Sequence, residues 1–401
     1  MPFIRKNAEF TAPNLRSSGR EDFCTEEIMR TKTPRLPTLF PPGPARAGRV
    51  RDRQGSLRMT LLSDHGTAET DPVDRPEGLN PSRRRLSGFG YRYGIVFVWA
   101  ALFILFSLLL PGVFLTTNNL AAMLSSQASL ILLSLSVLPV LAAGEIDLSI
   151  AGVMTISATT VGQLNGVWKI DITVSILVAL AISVLIGLVN GLLTIKVGVA
   201  SIIVTLGMST LLVGLSVWLS NTLTITGVSP QLGRIVNTPV LGVNLAFWIS
   251  IAIGIALWYV YRHTALGRHI VFIGKNAEVA RLSGLPVARL KLWTFVVTSF
   301  LAGLSGVMVV AIAGGLQPTS LQTLLLPAFA GAFLGSAIID PGSHNPIGTI
   351  IAVLFLATGI NGLILLGADS WVNNVFYGAA VILAVTFSRI IYVRARKKNV
   401  V

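Results

Sequence analysis

From Tyr93 onward, apolar runs of roughly 20 residues, the length a helix needs to cross the hydrocarbon core of a bilayer, recur with only short polar breaks between them. Ten can be drawn, at 93–113, 119–143, 148–166, 172–194, 200–220, 244–262, 292–314, 322–338, 346–366 and 372–391. A chain that is 53% hydrophobic and only 12% charged has no aqueous core large enough to hide such segments. The expected fold class is therefore all-α, a polytopic membrane protein of about ten transmembrane helices.

Charge divides the chain and orients it. Residues 1–92 hold 17 of the 31 Lys and Arg and 11 of the 17 Asp and Glu, in Pro-, Arg- and Ser-rich sequence with no apolar periodicity. They read as a disordered basic cytoplasmic tail, with Met59 an alternative start. Residues 93–392 form the membrane domain, and 393–401 a basic cytoplasmic C-terminus. Threading the ten runs with the first starting inside places 12 basic residues on the cytoplasmic side and only Lys169 and Arg234 outside. Both termini are thus expected in the cytoplasm. The same bias accounts for a basic pI without nucleic acid as a partner. Cys24 alone builds neither a disulfide framework nor a cysteine metal site.

Small residues at Gly187 and Gly191, and at Gly331 and Gly335, form GxxxG pairs that let helix backbones approach closely. Val189-Asn190-Gly191-Leu192-Leu193, near the end of the fourth run, is echoed by Ile360-Asn361-Gly362-Leu363-Ile364 near the end of the ninth. Five helices separate the two, an odd offset, which predicts two inverted five-helix halves.

Four of the six acids in the membrane portion fall in evident loops; Glu145 and Asp147 do not. They belong to Gly144-Glu145-Ile146-Asp147-Leu148-Ser149, a short break between two apolar runs. Either Asp147 or Ser149 caps the third helix, or the acid serves substrate or ion passage. The loop 263–291 is the largest on the cytoplasmic side, and Ala277 to Leu282 within it reads as a short helix stopped by Ser283-Gly284. Gln127, Asn190, Thr205 and Asn361 are polar groups within or beside apolar runs, placed either to line a pathway or to bond between helices. The pattern G-x-x-x-x-G-K-[ST] is absent, His65, His263, His269 and His344 lack zinc-ligand spacing, and no nucleophile elbow occurs in a strand-turn-helix setting. Nothing here reads as an enzyme, and no cofactor or metal is expected on this chain.

Residues 93–392 resemble the membrane permeases of carbohydrate ABC importers of the ribose, xylose, arabinose and rhamnose type, relatives of branched-chain amino-acid permeases. The likeness rests on Gly144 to Ser149, similar to the family's G-x-I-D-L-S signature; on Val189 to Leu192 with Ser201 to Gly207; and on Gly274, Asn276, Ala277, Glu278, Ala280, Arg281, Leu282, Ser283 and Gly284, similar to its coupling loop. Glu145 stands where many members carry Gly, and Asp340 to Pro346 departs from the commoner Gly-rich version. The resemblance implies import of a monosaccharide (a pentose, deoxyhexose or related sugar) by alternating access. It also implies partners: an ABC ATPase that uses ATP and Mg, a periplasmic or lipid-anchored sugar-binding protein, and a second permease chain, identical or a sister, all in membrane lipid. An ion-coupled secondary transporter, or an ABC permease for an amino acid or autoinducer, stands as the alternative.

Overall fold

The computed structural model describes residues 81–338 and 343–398. Most of the expected basic tail, with Cys24 and Met59, lies outside the described residues, as do Asp340, Pro341, Gly342 and residues 399–401.

Each expected apolar run is helical. The first helix, α1 (Pro81–Leu109), is followed by α2 (Thr117–Ser126) and α3 (Ala128–Ala142), which together make one 26-residue span interrupted at Gln127. Next come α4 (Ile150–Val161), widening into a π turn over Gly162–Val167, α5 (Ile172–Leu192), widening likewise over Leu193–Val197, and α6 (Ser201–Leu219). A polar excursion then carries β1 (Ile225–Thr226), α7 (Pro230–Val236), β2 (Pro239–Val240) and β3 (Val243–Asn244). The chain continues through α8 (Leu245–His263), α9 (Ala265–Lys275), α10 (Ala277–Leu282), α11 (Val287–Ala313), β4 (Gly315–Leu316), a 3-10 turn (Ser320–Leu324), α12 (Leu325–Gly335), α13 (Pro346–Leu365) and α14 (Trp371–Lys398). β1 pairs antiparallel with β4 and β2 with β3, stitching together the connections of the excursion.

Six helical segments among the described residues are long and apolar enough to cross a membrane, and Ile95–Leu109, Ser320–Gly335 and Trp371–Leu383 are shorter apolar helices. Their burial sorts them into inner and outer elements. Every residue of α3 and of α4 is buried, and α11 packs against α3, α4 and α5. By contrast α5, α6 and α8 turn apolar side chains outward, with Ile203 67% and Leu177 63% exposed. Helices apolar on every side, several with large side chains facing out, suit a surrounding solvent of lipid. The protein is an all-α polytopic membrane protein.

Small residues set the closest approaches. A Cβ at Gly187 would stand 2.7 Å from the Phe295 carbonyl oxygen, and one at Gly335 would stand 2.5 Å from Thr349 Cα. The two expected GxxxG pairs thus join α5 to α11 and α12 to α13.

Three boundaries differ from the sequence reading. α1 begins at Pro81 rather than near residue 93, because Pro suits a first helical turn and the Arg- and Leu-containing stretch after it sustains a helix beyond the apolar part. For the same reason of propensity without hydropathy, α14 runs on to Lys398. α11 begins at Val287 rather than 292, so Arg289 and Lys291 stand on the first turns of a helix instead of in the loop.

Candidate functional site

The end of α3 shows why the Gly144–Ser149 turn has its shape. Gly144 takes φ +81°, its N–H donates to the Leu141 carbonyl at 3.0 Å, and the Glu145 N–H donates to the Val140 carbonyl at 3.0 Å. This is a glycine stop that satisfies the last carbonyls of a fully buried helix. The chain then crosses to α4, and neighbouring elements take hold of it. Ser201 and Thr205, one turn apart on the same face of α6, accept from the Ile146 N–H (3.4 Å) and the Leu148 N–H (3.0 Å). Asp147 Oδ1 accepts from both the N–H (2.8 Å) and the hydroxyl (2.6 Å) of Ser149, and Asn190 Nδ2 on α5 donates to that same hydroxyl oxygen at 2.9 Å.

Asp147 is 1% exposed, and Ser149, Asn190 and Thr205 are fully buried. Asp147 Oδ2 and Asn190 Oδ1 have no hydrogen-bond partner among the described residues. Burial in this turn pushes the Asp147 carboxyl up to about 6, against the lowering by its two bonds from Ser149. The capping expectation needs correction. Ser149 occupies the cap position of α4 but makes no side-chain cap bond, and Asp147 serves the N–H of Ser149 itself, one residue ahead of the helix. The hydroxyl is drawn away from the helix end because it links Asp147 to Asn190.

The second expected motif meets the first. Asn276 caps α10, its Oδ1 accepting from the Glu278 and Val279 N–H groups at 3.1 Å each. Gly284, at φ +82°, ends α10, with the Leu285 N–H returning to the Ala280 carbonyl at 3.1 Å. The short helix over Ala277–Leu282 therefore forms as the sequence predicts. Only Ala280 is buried on it, and Leu282 is 84% exposed. Just before it, Gly274 lies against the end of α3. A Cβ on Gly144 would stand 3.2 Å from the Gly274 carbonyl oxygen, and a Cβ on Gly274 would collide with that of Ala142. Two segments 130 residues apart thus touch backbone to backbone, an approach that leaves no room for a side chain at Gly274 and little at Gly144.

Lys291 completes the cluster: its Nζ donates to Glu145 Oε1 at 2.6 Å, clamping the turn to the base of α11. Between this pair and α10 opens a cleft of about 730 Å³ whose walls include Glu145, Glu278, Arg281 and Arg289. The sequence reading missed Lys291. The available signal was that an acid in a short break between apolar runs needs a counter-ion, and Lys291 is the basic residue nearest the start of the seventh run. Lys291→Met should destabilise the protein by about 1–3 kcal/mol by leaving a largely buried carboxylate without its cation, and Glu145→Gln in the same chain should recover most of that. A double-mutant cycle of thermal unfolding in detergent measures the coupling; additive losses would show that the pair contributes nothing.

Of the four polar residues singled out within helices, Asn190 and Thr205 belong to this cluster. The other two do not join it. Gln127 sits at the break between α2 and α3 and donates to Ser126 Oγ at 3.0 Å, while Asn361 donates to Asn119 Oδ1 at 3.2 Å and ties α13 to α2.

The family described as Branched-chain amino acid transport system / permease component matches residues 119–385, a stretch running from α2 to α14 that contains both motifs. The chain is 31% identical over 277 residues to the ribose import permease protein RbsC of Escherichia coli K12, covering 68% of this chain and 86% of that protein. It is 30% identical over 302 residues to the L-arabinose ABC transporter permease protein AraH of Azospirillum brasilense, covering 74% and 87%. Against the autoinducer 2 import system permease protein LsrD of Photorhabdus laumondii it is 28% identical over 305 residues, covering 74% and 91%. The resemblance to carbohydrate importer permeases read from Gly144–Ser149 and Gly274–Gly284 is thereby borne out. The chain belongs to the family of branched-chain amino acid transport system permease components.

Proposed function

We propose that this chain is the membrane permease of an ATP-driven importer, carrying a monosaccharide or closely related small polar solute across a bacterial inner membrane by alternating access. One observation carries the reading beyond the family: the coupling segment and the signature turn are in direct backbone contact at Gly274 and Gly144. In the orientation set by the positive-inside bias, both termini and this contact face the cytoplasm. An ABC ATPase would engage α10, which offers Glu278, Val279, Arg281 and Leu282 outward. ATP and Mg would be held by that partner. A substrate-binding protein would deliver solute to the opposite face, and a second permease chain would complete the gate.

Displacement of α10 reaches the α3–α4 turn through Gly274. The turn is bonded in its turn to α5 by Asn190, to α6 by Ser201 and Thr205, and to α11 by Lys291. A push at the surface is therefore delivered to five helices at one point, as a two-state gate biased from outside requires. The relatives named for ribose and arabinose support a sugar as cargo. Asn190 and Thr205 act here as links between helices, whatever part they also have in lining the path.

Purified permease reconstituted in vesicles with its ATPase and binding protein tests this. Leu282→Asp or Arg281→Glu should cut uptake on the order of thirtyfold, as loss of a central anchor in a protein interface does, while the permease keeps its thermal stability. Full uptake by both variants would refute the assignment of α10 as the coupling helix.

A further inference from the structure

The cleft of about 730 Å³ beside the Glu145–Lys291 pair carries a chemistry that the transport reading does not use. Four elements wall it: α10 with Glu278 and Arg281, the first turns of α11 with Arg289 and Lys291, the π turn after α5 with Thr194, and the signature turn with Glu145. Val279 and Leu282, the exposed apolar residues of α10, do not line it. The side of α10 that suits a protein surface and the side that faces the cleft are therefore different.

The charges on the walls do not cancel. Lys291 and Glu145 hold each other at 2.6 Å. The side chains of Arg281 and Arg289 have no ion pair or hydrogen bond among the described residues, and neither has that of Glu278, the other acid on the walls. Two unpaired guanidinium groups lining one cavity suit a phosphate, whose oxygens accept from both. The remaining polar groups suit hydroxyls: the Glu278 carboxylate is an acceptor, and the Thr194 hydroxyl has no hydrogen-bond partner among the described residues. The volume falls in the range of small-molecule sites, about 300–1,000 Å³, and is larger than a lone phosphate ion fills.

We infer that this cleft binds a small hydroxylated organic phosphate, of the chemical class of a sugar phosphate, and that the bound ligand restrains α10. Its phosphate lies on Arg281 and Arg289 and so ties α10 to the base of α11 across the short link between them. A coupling helix fixed in this way no longer moves freely, and uptake slows. The restraint on uptake rests on the role proposed for α10; the binding itself does not.

Calorimetry on the full-length permease alone, in detergent, tests the site with ribose 5-phosphate, ribose and inorganic phosphate as probes. Wild type should bind ribose 5-phosphate at least tenfold more tightly than either of the others. Arg289→Gln removes one charge-assisted contact and should weaken that binding roughly tenfold or more. Ala288→Trp, at an exposed position on the cleft wall, should abolish it by filling the space. No binding by wild type, equal affinity for ribose 5-phosphate and inorganic phosphate, or unchanged affinity in both variants overturns the site. In vesicles with ATPase and binding protein, ribose 5-phosphate on the ATPase side should slow uptake by wild type severalfold and leave that of Arg289→Gln nearly unchanged. Uptake by wild type that ignores the ligand overturns the restraint. Loss of ligand binding on assembly with the ATPase would give the cleft to that subunit and overturn it likewise. Failure of α10 as the coupling helix would show instead in the uptake of Leu282→Asp, with ligand binding by the permease intact.

Discussion

Gly274→Ala should leave ATP hydrolysis by the assembled transporter running while uptake per ATP falls about fivefold or more, because the new methyl group has nowhere to go. Its position is occupied by the Ala142 carbonyl, with the carbonyl carbon at 3.0 Å and the Gly144 nitrogen at 3.1 Å. These are backbone atoms at the end of a fully buried helix, so no side chain can swing aside to make room. The strain is relieved only by lifting α9 from the end of α3. Overpacking of this kind costs about 1–3 kcal/mol, enough to shift a docked segment toward an undocked one by about five- to 150-fold. Gly144→Ala strikes the same contact from the other side, with the added penalty of a left-handed backbone for a residue with a Cβ. If both act by separating α9 from the turn, the double variant should be little worse than either single one. The measurement is uptake per ATP hydrolysed in vesicles, with thermal unfolding as the check on folding. Uptake per ATP unchanged in Gly274→Ala would mean that force does not pass through this contact.

The helices that form the bundle were legible because the hydrocarbon core imposes a length, and runs such as 172–194 carry no competing signal. The coupling helix was legible for a different reason: Asn276 and Ser283-Gly284 are local start and stop chemistry, and they give Ala277–Leu282 its ends without help from the rest of the fold. The break at Gln127 was not legible, since Ser126 and Gln127 interrupt apolar sequence without a Pro or Gly to announce it. Nor were the two-residue strand pairs, whose β1–β4 partner lies 91 residues away along the chain. At the site, both motifs could be seen and their meeting could not. A contact between two glycines leaves no side-chain complementarity to read, and the Glu145–Lys291 pair spans 146 residues. The four bonds holding the turn come from hydroxyls and amides spread over two helices and the turn itself, types that in apolar sequence read equally well as pathway or as packing.

Asp147 gives the sharpest division between those two meanings. Asp147→Ala removes the acceptor for the buried N–H and hydroxyl of Ser149 and should destabilise the protein by about 2–4 kcal/mol. Asp147→Asn keeps an oxygen for those donors and removes the charge. Its effect on stability should depend on pH with a definite sign. The carboxyl is raised to about 6 in the folded protein, from near 4 in an unfolded chain, so the folded state favours the protonated form. Stability is then fully present below about pH 4 and is lost as pH rises through about 6, by about 3 kcal/mol in all. The amide that replaces the carboxyl cannot titrate, so in detergent the Asp147→Asn protein should match wild type near pH 4 and unfold at a higher temperature near pH 8. Parallel stability curves over that range would show that water or a partner reaches Oδ2, the oxygen without a partner among the described residues. Uptake separates the roles: if the turn is a hinge held by hydrogen bonds, Asp147→Asn keeps most of its transport while Asp147→Ala loses it. If the carboxylate itself serves passage, the more stable Asp147→Asn protein is the one that fails to transport at neutral pH.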